Sequence, residues 1–193
     1  PYPGDPAAEG MRVGEGIGLL GIELHTRRRN RLNGTLTDVE SDQMTLAVGH
    51  SFGNCPQYIQ LRDFEFARDP KLPPKQLPEY LDAITDDVRE WIRSSDTFFV
   101  GSYVDREGER QVDVSHRGGK PGFVRVSDDG VLTVPDFAGN FHFNTLGNFL
   151  INSRAGLMFV DFETGDILQM SGRAHVILES PEISAFQGAE RLW

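Results

Sequence analysis

The chain carries one passage twice, 138 residues apart, and the two copies align without a gap. Residues 18–36, GLLGIELHTRRRNRLNGTL, lie over residues 156–174, GLMFVDFETGDILQMSGRA. Gly18 and Leu19 match Gly156 and Leu157, Thr26 matches Thr164, Gly34 matches Gly172, and Glu23 and Asp161 keep an acid at the same point. The shared order of strand, polar turn, strand and glycine reads as a duplicated β unit. About 76 residues of organised sequence, counted from Tyr80, precede the second copy, whereas 17 precede the first. The first unit therefore reads as beheaded. Further strands are expected to be encoded upstream of Pro1, and an open reading frame starting near Pro1 would remove that expectation.

The remaining pattern divides the chain in two. Residues 18–66 hold apolar stretches at GLLGIEL, MTLAVGH and YIQLRDFEF, with turn chemistry at Asn33-Gly34 and Gly53-Asn54, and read as strands. DPKLPPKQLP, residues 69–78, carries four prolines, which excludes a helix or a central strand and marks a linker. The expected organisation is a partial N-terminal module over 1–68, the linker over 69–78 and a complete domain over 79–193. From Glu79 to Ser94, Leu81, Ile84, Val88 and Ile92 recur at helical spacing opposite Asp82, Asp86, Asp87 and Glu90, predicting one amphipathic helix. Then come TFFVGSYVD, QVDVSHR, FVRVS, VLTVPDF, GLMFVDFE and DILQMSGRAHVIL, separated by short polar turns. FHFNTLGNFLINSRAG interrupts them as a short helix. Many short strands and few helices predict a mainly antiparallel barrel or sandwich.

Composition excludes several classes. With 38% hydrophobic and 25% charged residues in 193, the chain can bury one sizeable core or two small ones. No apolar run approaches a membrane span and no leader pattern opens the sequence, so the default expectation is a cytoplasmic protein. Cys55, the single cysteine, has no internal disulfide partner and no metal-ligand spacing around it. A formal charge of −10 opposes binding to nucleic acid or an anionic membrane. Arg27, Arg28, Arg29 and Arg31 run against that balance and read as a solvated or inter-unit salt-bridging face on a turn and its following strand. Gly16–Gly21 satisfies G-x-G-x-x-G but leads into a strand rather than opening a helix, so it is no dinucleotide fingerprint.

One polar constellation stands out. VDVSHRGGKPGF puts Asp113, Ser115 and Arg117 on one face of a strand and His116 on the other, before a glycine turn bearing Lys120. VPDFAGN ends a neighbouring strand, and a helix start rich in Asn and Thr follows. Arginine on a strand, a glycine turn and a helix N-terminus are parts for holding a phosphate monoester, and Phe137, Phe141 and Phe143 would wall a flat ring. The same residues also read blandly, as caps, an Arg117–Asp113 pair and core phenylalanines.

The ordered run VSHRGGKPGFVRV, LTVPDFAGN, NTLGN, RAGLMFVDFETGD and LQMSGRA resembles the flavin-nucleotide-binding proteins related to pyridoxamine 5′-phosphate oxidase. The resemblance covers residues 80–193 well, and GIELHTRRRNRLNG with FGNCPQYIQLR resembles the second half of a preceding, similar module. It implies a mainly β fold, a six-stranded antiparallel split β-barrel with a partial second split-barrel module before it, binding FMN at a junction between two barrels. It also implies a homodimer or, through the duplication, an internal pseudo-dimer. Carried over by motif, Asp113, Ser115, His116 and Arg117 match the strand along the FMN, with Arg117 as phosphate or ribityl contact. Pro135 and Asp136 match the strand end beside the ring. Asn144 and Thr145, with Asn148 near them, stand where pyridoxamine-phosphate oxidases place a basic pair. That departure leaves Arg117, Lys120 and Arg173 to balance the phosphate. No counterpart of the residues gripping pyridoxal phosphate is present, so that activity is not expected. The resemblance thus implies an FMN-dependent oxidoreductase taking electrons from a nicotinamide or other reductant, with His116 the one titratable candidate near the ring whose ordinary pKa is useful at neutral pH. Two alternatives remain: a non-enzymatic flavin-binding or dimerisation module, and a haem-binding split barrel using His142 or His175.

Overall fold

The computed structural model describes residues 5–66, 69, 72, 77–139 and 143–193. The chain is mainly β and every strand pairing is antiparallel. After a short helix α1 (Pro6–Gly10), strands β1 (Gly16–Glu23), β2 (Arg28–Val39) and β3 (Met44–Gly53) form a three-stranded meander. Helix α2 (Asp86–Ser94) leads into β4 (Thr97–Arg106) and β5 (Glu109–Gly118), then the short strands β6 (Arg125–Val126), β7 (Leu132–Thr133) and β8 (Pro135–Phe137). Helix α3 (Asn144–Ile151), β9 (Arg154–Val160), β10 (Ile167–Arg173), a 3-10 turn at Pro181–Ala185 and β11 (Ala189–Leu192) complete the described elements. The second sheet runs β10-β9-β4-β5, while β11 pairs with β8 and β6 with β7 in separate two-stranded sheets.

The repeat is structural. Leu19 pairs with Leu32 across β1 and β2, and Leu157 pairs with Met170 across β9 and β10, the same register carried along the sequence offset. The turns agree as well: Arg27 has φ 56° where its counterpart Gly165 has φ 82°. Thr26 N donates to Glu23 O in one turn, and Thr164 N donates to Asp161 Oδ1 in the other.

The main core lies under the second sheet. Phe98 is fully buried, its ring 5.1 Å from Phe159, 5.8 Å from Phe123 and 6.0 Å from Trp193. Val88 and Ile92 of α2 and Leu146 and Phe149 of α3 close the same cluster. Trp193 is held there because its backbone exchanges hydrogen bonds with Val134 in both directions. The first sheet has a smaller core and lies across β5. A Cβ on Gly16 would stand 2.7 Å from Arg110 O, and one on Gly18 3.4 Å from Val114 N. Gly16 serves a close backbone approach, whereas a Cβ on Gly21 would meet nothing nearer than Asn30 O at 4.0 Å.

Three expectations need correction. Asn33-Gly34 is no turn: it sits inside β2, at a register shift against β3. YIQLRDFEF forms no strand, because Tyr58 adopts φ 64° and residues 58–62 are tied side chain by side chain to the second lobe. The amphipathic helix begins at Asp86 rather than Glu79, since Thr85 Oγ1 accepts from Val88 N and caps it. β11, read from no sequence signal, forms the edge that seats Trp193. Most of the linker 69–78 lies outside the described residues. Among the described residues no helix is long and apolar enough to cross a membrane.

Candidate functional site

β5 is the shared wall of the molecule, with β4 hydrogen-bonded along one edge and the first sheet packed across it. Alternation along β2 sends Arg29 and Arg31 the same way, toward β5. Arg31 Nη1 donates to Asp113 Oδ1 at 3.0 Å, and its Nη2 donates to Ser115 Oγ at 2.6 Å. Thr145 Oγ1 of α3 donates to the second oxygen of Asp113 at 3.0 Å. Both charges of that pair are almost wholly buried. Two residues earlier, Arg29 Nη1 lies 3.0 Å from His116 Nδ1. A guanidinium only donates, so Nδ1 accepts and the imidazole proton sits on Nε2.

Beyond these contacts β5 ends at a cleft between the two lobes with about 100 Å³ of water-accessible space. Arg29, Arg31, Arg117 and Arg191 make its lining cationic. Tyr58, Phe137 and Phe143 add aromatic rings, with the Tyr58 and Phe137 ring centres 5.3 Å apart and the Arg191 guanidinium 4.6 Å over the Phe143 ring. Tyr58 comes from the segment after β3 and its hydroxyl donates to Ala138 O at 2.8 Å, so the first lobe closes over the second. Gly118 permits this approach: the Tyr58 carbonyl occupies the place a Cβ would take. Arg117 Nη1 donates to Asp136 Oδ1 at 2.6 Å, and Arg191 Nε donates to Asp136 Oδ2 at 3.1 Å. One carboxylate thus bridges two cations on the cleft floor.

Burial sets the protonation states. It is the largest influence on His116, and with Arg29 and Arg117 beside the ring the imidazole is pushed down to about 3. Burial first, then Arg31 nearby, lowers Arg29 to about 10. The Tyr58 phenol is raised, again by burial first.

Of the residues expected at a cofactor site, Ser115, His116, Arg117, Pro135 and Asp136 line the cleft. The others do not. Asp113 lies one layer behind, neutralising Arg31 rather than Arg117. Thr145 serves Asp113, and Asn148 Nδ2 donates to Ser102 Oγ at 3.0 Å. α3 turns Phe143 and Leu146 to the cleft instead of Asn144. Lys120 is exposed on its turn, and Arg173 reaches Ser153 on the far edge of the sheet. His175 is exposed and away from the cleft; Asn140, Phe141 and His142 lie outside the described residues. Sequence reasoning did not place Cys55, Gln57, Tyr58 and Arg191 at the site. It flagged Arg29 and Arg31 only as an inter-unit face, although their spacing of two on a strand was the available signal. No family model matches the chain, and neither a curated protein nor a solved structure matches it.

Proposed function

We propose that this protein is an FMN-binding flavoprotein related to pyridoxamine 5′-phosphate oxidase, an oxidoreductase but not itself a pyridoxamine-phosphate oxidase. In this reading the second lobe is a six-stranded split barrel and the first a partial split-barrel-like module, so that the chain forms an internal pseudo-dimer. The carrying observation is the cleft between the lobes, whose lining combines four arginines with Tyr58, Phe137 and Phe143. Motifs distant in sequence, VSHRGG and VPDF, converge there with the first lobe.

The residues present suit FMN by their chemistry. Tyr58 and Phe137 offer aromatic surface for a flat ring, and the arginines offer charge-assisted donors for a phosphate. FMN, when bound, would take a hydride or electrons from a reductant such as a reduced nicotinamide and pass them to an acceptor. The chain's own work is positioning. Asp136 holds Arg117 and Arg191 in fixed forks, and Tyr58 shields the mouth from water. His116, neutral down to about pH 3, gives no proton at neutral pH and acts as a fixed hydrogen-bonding group.

The test is an absorption spectrum of the purified protein before and after adding FMN, with Phe137→Ala alongside. A red-shifted, fluorescence-quenched flavin band that weakens in the variant supports the proposal. Failure to take up FMN at micromolar protein sinks it.

A further inference from the structure

Four arginines reach the cleft, and carboxylates neutralise three of them. Arg31 has Asp113; Arg117 and Arg191 share Asp136, and Arg191 also meets Glu190. Arg29 stands apart. Its contact is the neutral His116 Nδ1, and no carboxylate among the described residues lies within ion-pair reach of it. A half-buried cation surrounded by other arginines is unfavourable unless something outside the chain balances it. The duplicated hairpin supplies a contrast: at the position matching Arg29 stands Ile167, and Gln169 replaces Arg31. The cations appear only in the copy that faces the cleft.

We propose that Arg29 is the anion seat of the cleft, taking a phosphate monoester dianion, so that the first lobe holds the ligand's charged end. The assignment rests on the flavin reading only for the identity of the ligand. It moves the phosphate contact away from Arg117, whose charge is paired with Asp136 through Nη1. Burial and the neighbouring guanidiniums, which lower Arg29 to about 10, are the strain that a bound dianion relieves. Its guanidinium, paired with no carboxylate, keeps charge-assisted donors for phosphate oxygens. FMN and a free phosphoryl compound share this chemistry.

The experiment titrates the intact protein with FMN, riboflavin and inorganic phosphate, in the wild type and in Arg29→Gln, Arg29→Lys, Arg117→Gln and the exposed neighbour Arg28→Gln. The wild type is expected to prefer FMN over riboflavin by about 100-fold, as a charge-assisted pair predicts. Arg29→Gln should erase that preference while riboflavin binding stays within about threefold, and Arg29→Lys should restore part of it. Arg28→Gln should behave as wild type. If Arg117→Gln erases the preference and Arg29→Gln does not, the assignment is overturned while the flavin reading survives. If neither flavin binds, the phosphate titration decides: a saturable shift of the Arg29 side-chain Nε–H resonance in the wild type keeps Arg29 as the seat for a non-flavin phosphoryl ligand. No saturable shift overturns it. Should Arg29→Gln fail to fold, the lysine variant and the wild-type phosphate titration distinguish the same outcomes.

Discussion

His116 packs edge-on against Phe99, ring centres 5.8 Å apart, with three arginines near it and only Asp96 favouring its charged form. The imidazole therefore stays neutral in the folded chain down to about pH 3, while in the unfolded chain it titrates near its ordinary 6.5. Between those limits the unfolded state binds a proton that the native state refuses. Stability from this residue is fully present above pH 6.5 and is lost as the pH falls toward 3, by at most about 1.4 kcal/mol per pH unit. Urea midpoints measured across that window should fall with pH, and His116→Gln should flatten the fall; an unchanged slope would count against the burial. The neighbouring Arg31–Asp113 pair gives a second expectation. Asp113→Ala leaves a guanidinium buried without its counter-charge and should cost about 3–5 kcal/mol in urea unfolding, whereas Arg31→Met with Asp113→Leu should recover part of it. The alternation of β5 put Asp113, Ser115 and Arg117 together. That Arg31 rather than Arg117 pairs with Asp113 depended on a strand 82 residues away.

At the scale of elements, the two hairpins keep one register while their turns use different residues. Gly165 adopts the left-handed conformation without a steric penalty, and Arg27 adopts it with a Cβ. Arg27 is exposed, so Arg27→Gly should stabilise the first hairpin by about 1 kcal/mol, read as a raised melting temperature. A lowered melting temperature would mean the arginine side chain matters more than its backbone strain. The hairpins themselves were legible because alternation and turn residues are local. α2 was only half legible: apolar spacing extends back to Leu81, but the cap at Thr85 decides where the backbone starts to coil, and Leu81 is left half exposed. The stretch after β3 misled for a related reason. Its β-favouring residues find no strand to pair with and bind the second lobe through Tyr58, Gln60 and Arg62 instead.

Across the whole molecule, the lobes are joined by a buried ion pair, a glycine-permitted backbone approach and a tyrosine clamp. They are expected to unfold as one cooperative unit, so calorimetry should show a single transition; two separated transitions would show that the junction contributes little. Gly118→Ala sets a methyl group against the Tyr58 carbonyl and should lower stability by about 1–3 kcal/mol while loosening the cleft mouth. Period, turn residues and the gap-free repeat were enough, from the sequence by itself, to determine a mainly β chain built around a duplicated hairpin, with helices at α2 and α3. Those features follow from local sterics and from which face of each element is apolar. The tertiary structure alone decided that Arg29 of one copy meets His116, that Asp136 draws in Arg117 and Arg191, and that the Asn and Thr of α3 turn away from the cleft. Pairings between distant strands depend on how two sheets stack, and no local pattern encodes that geometry.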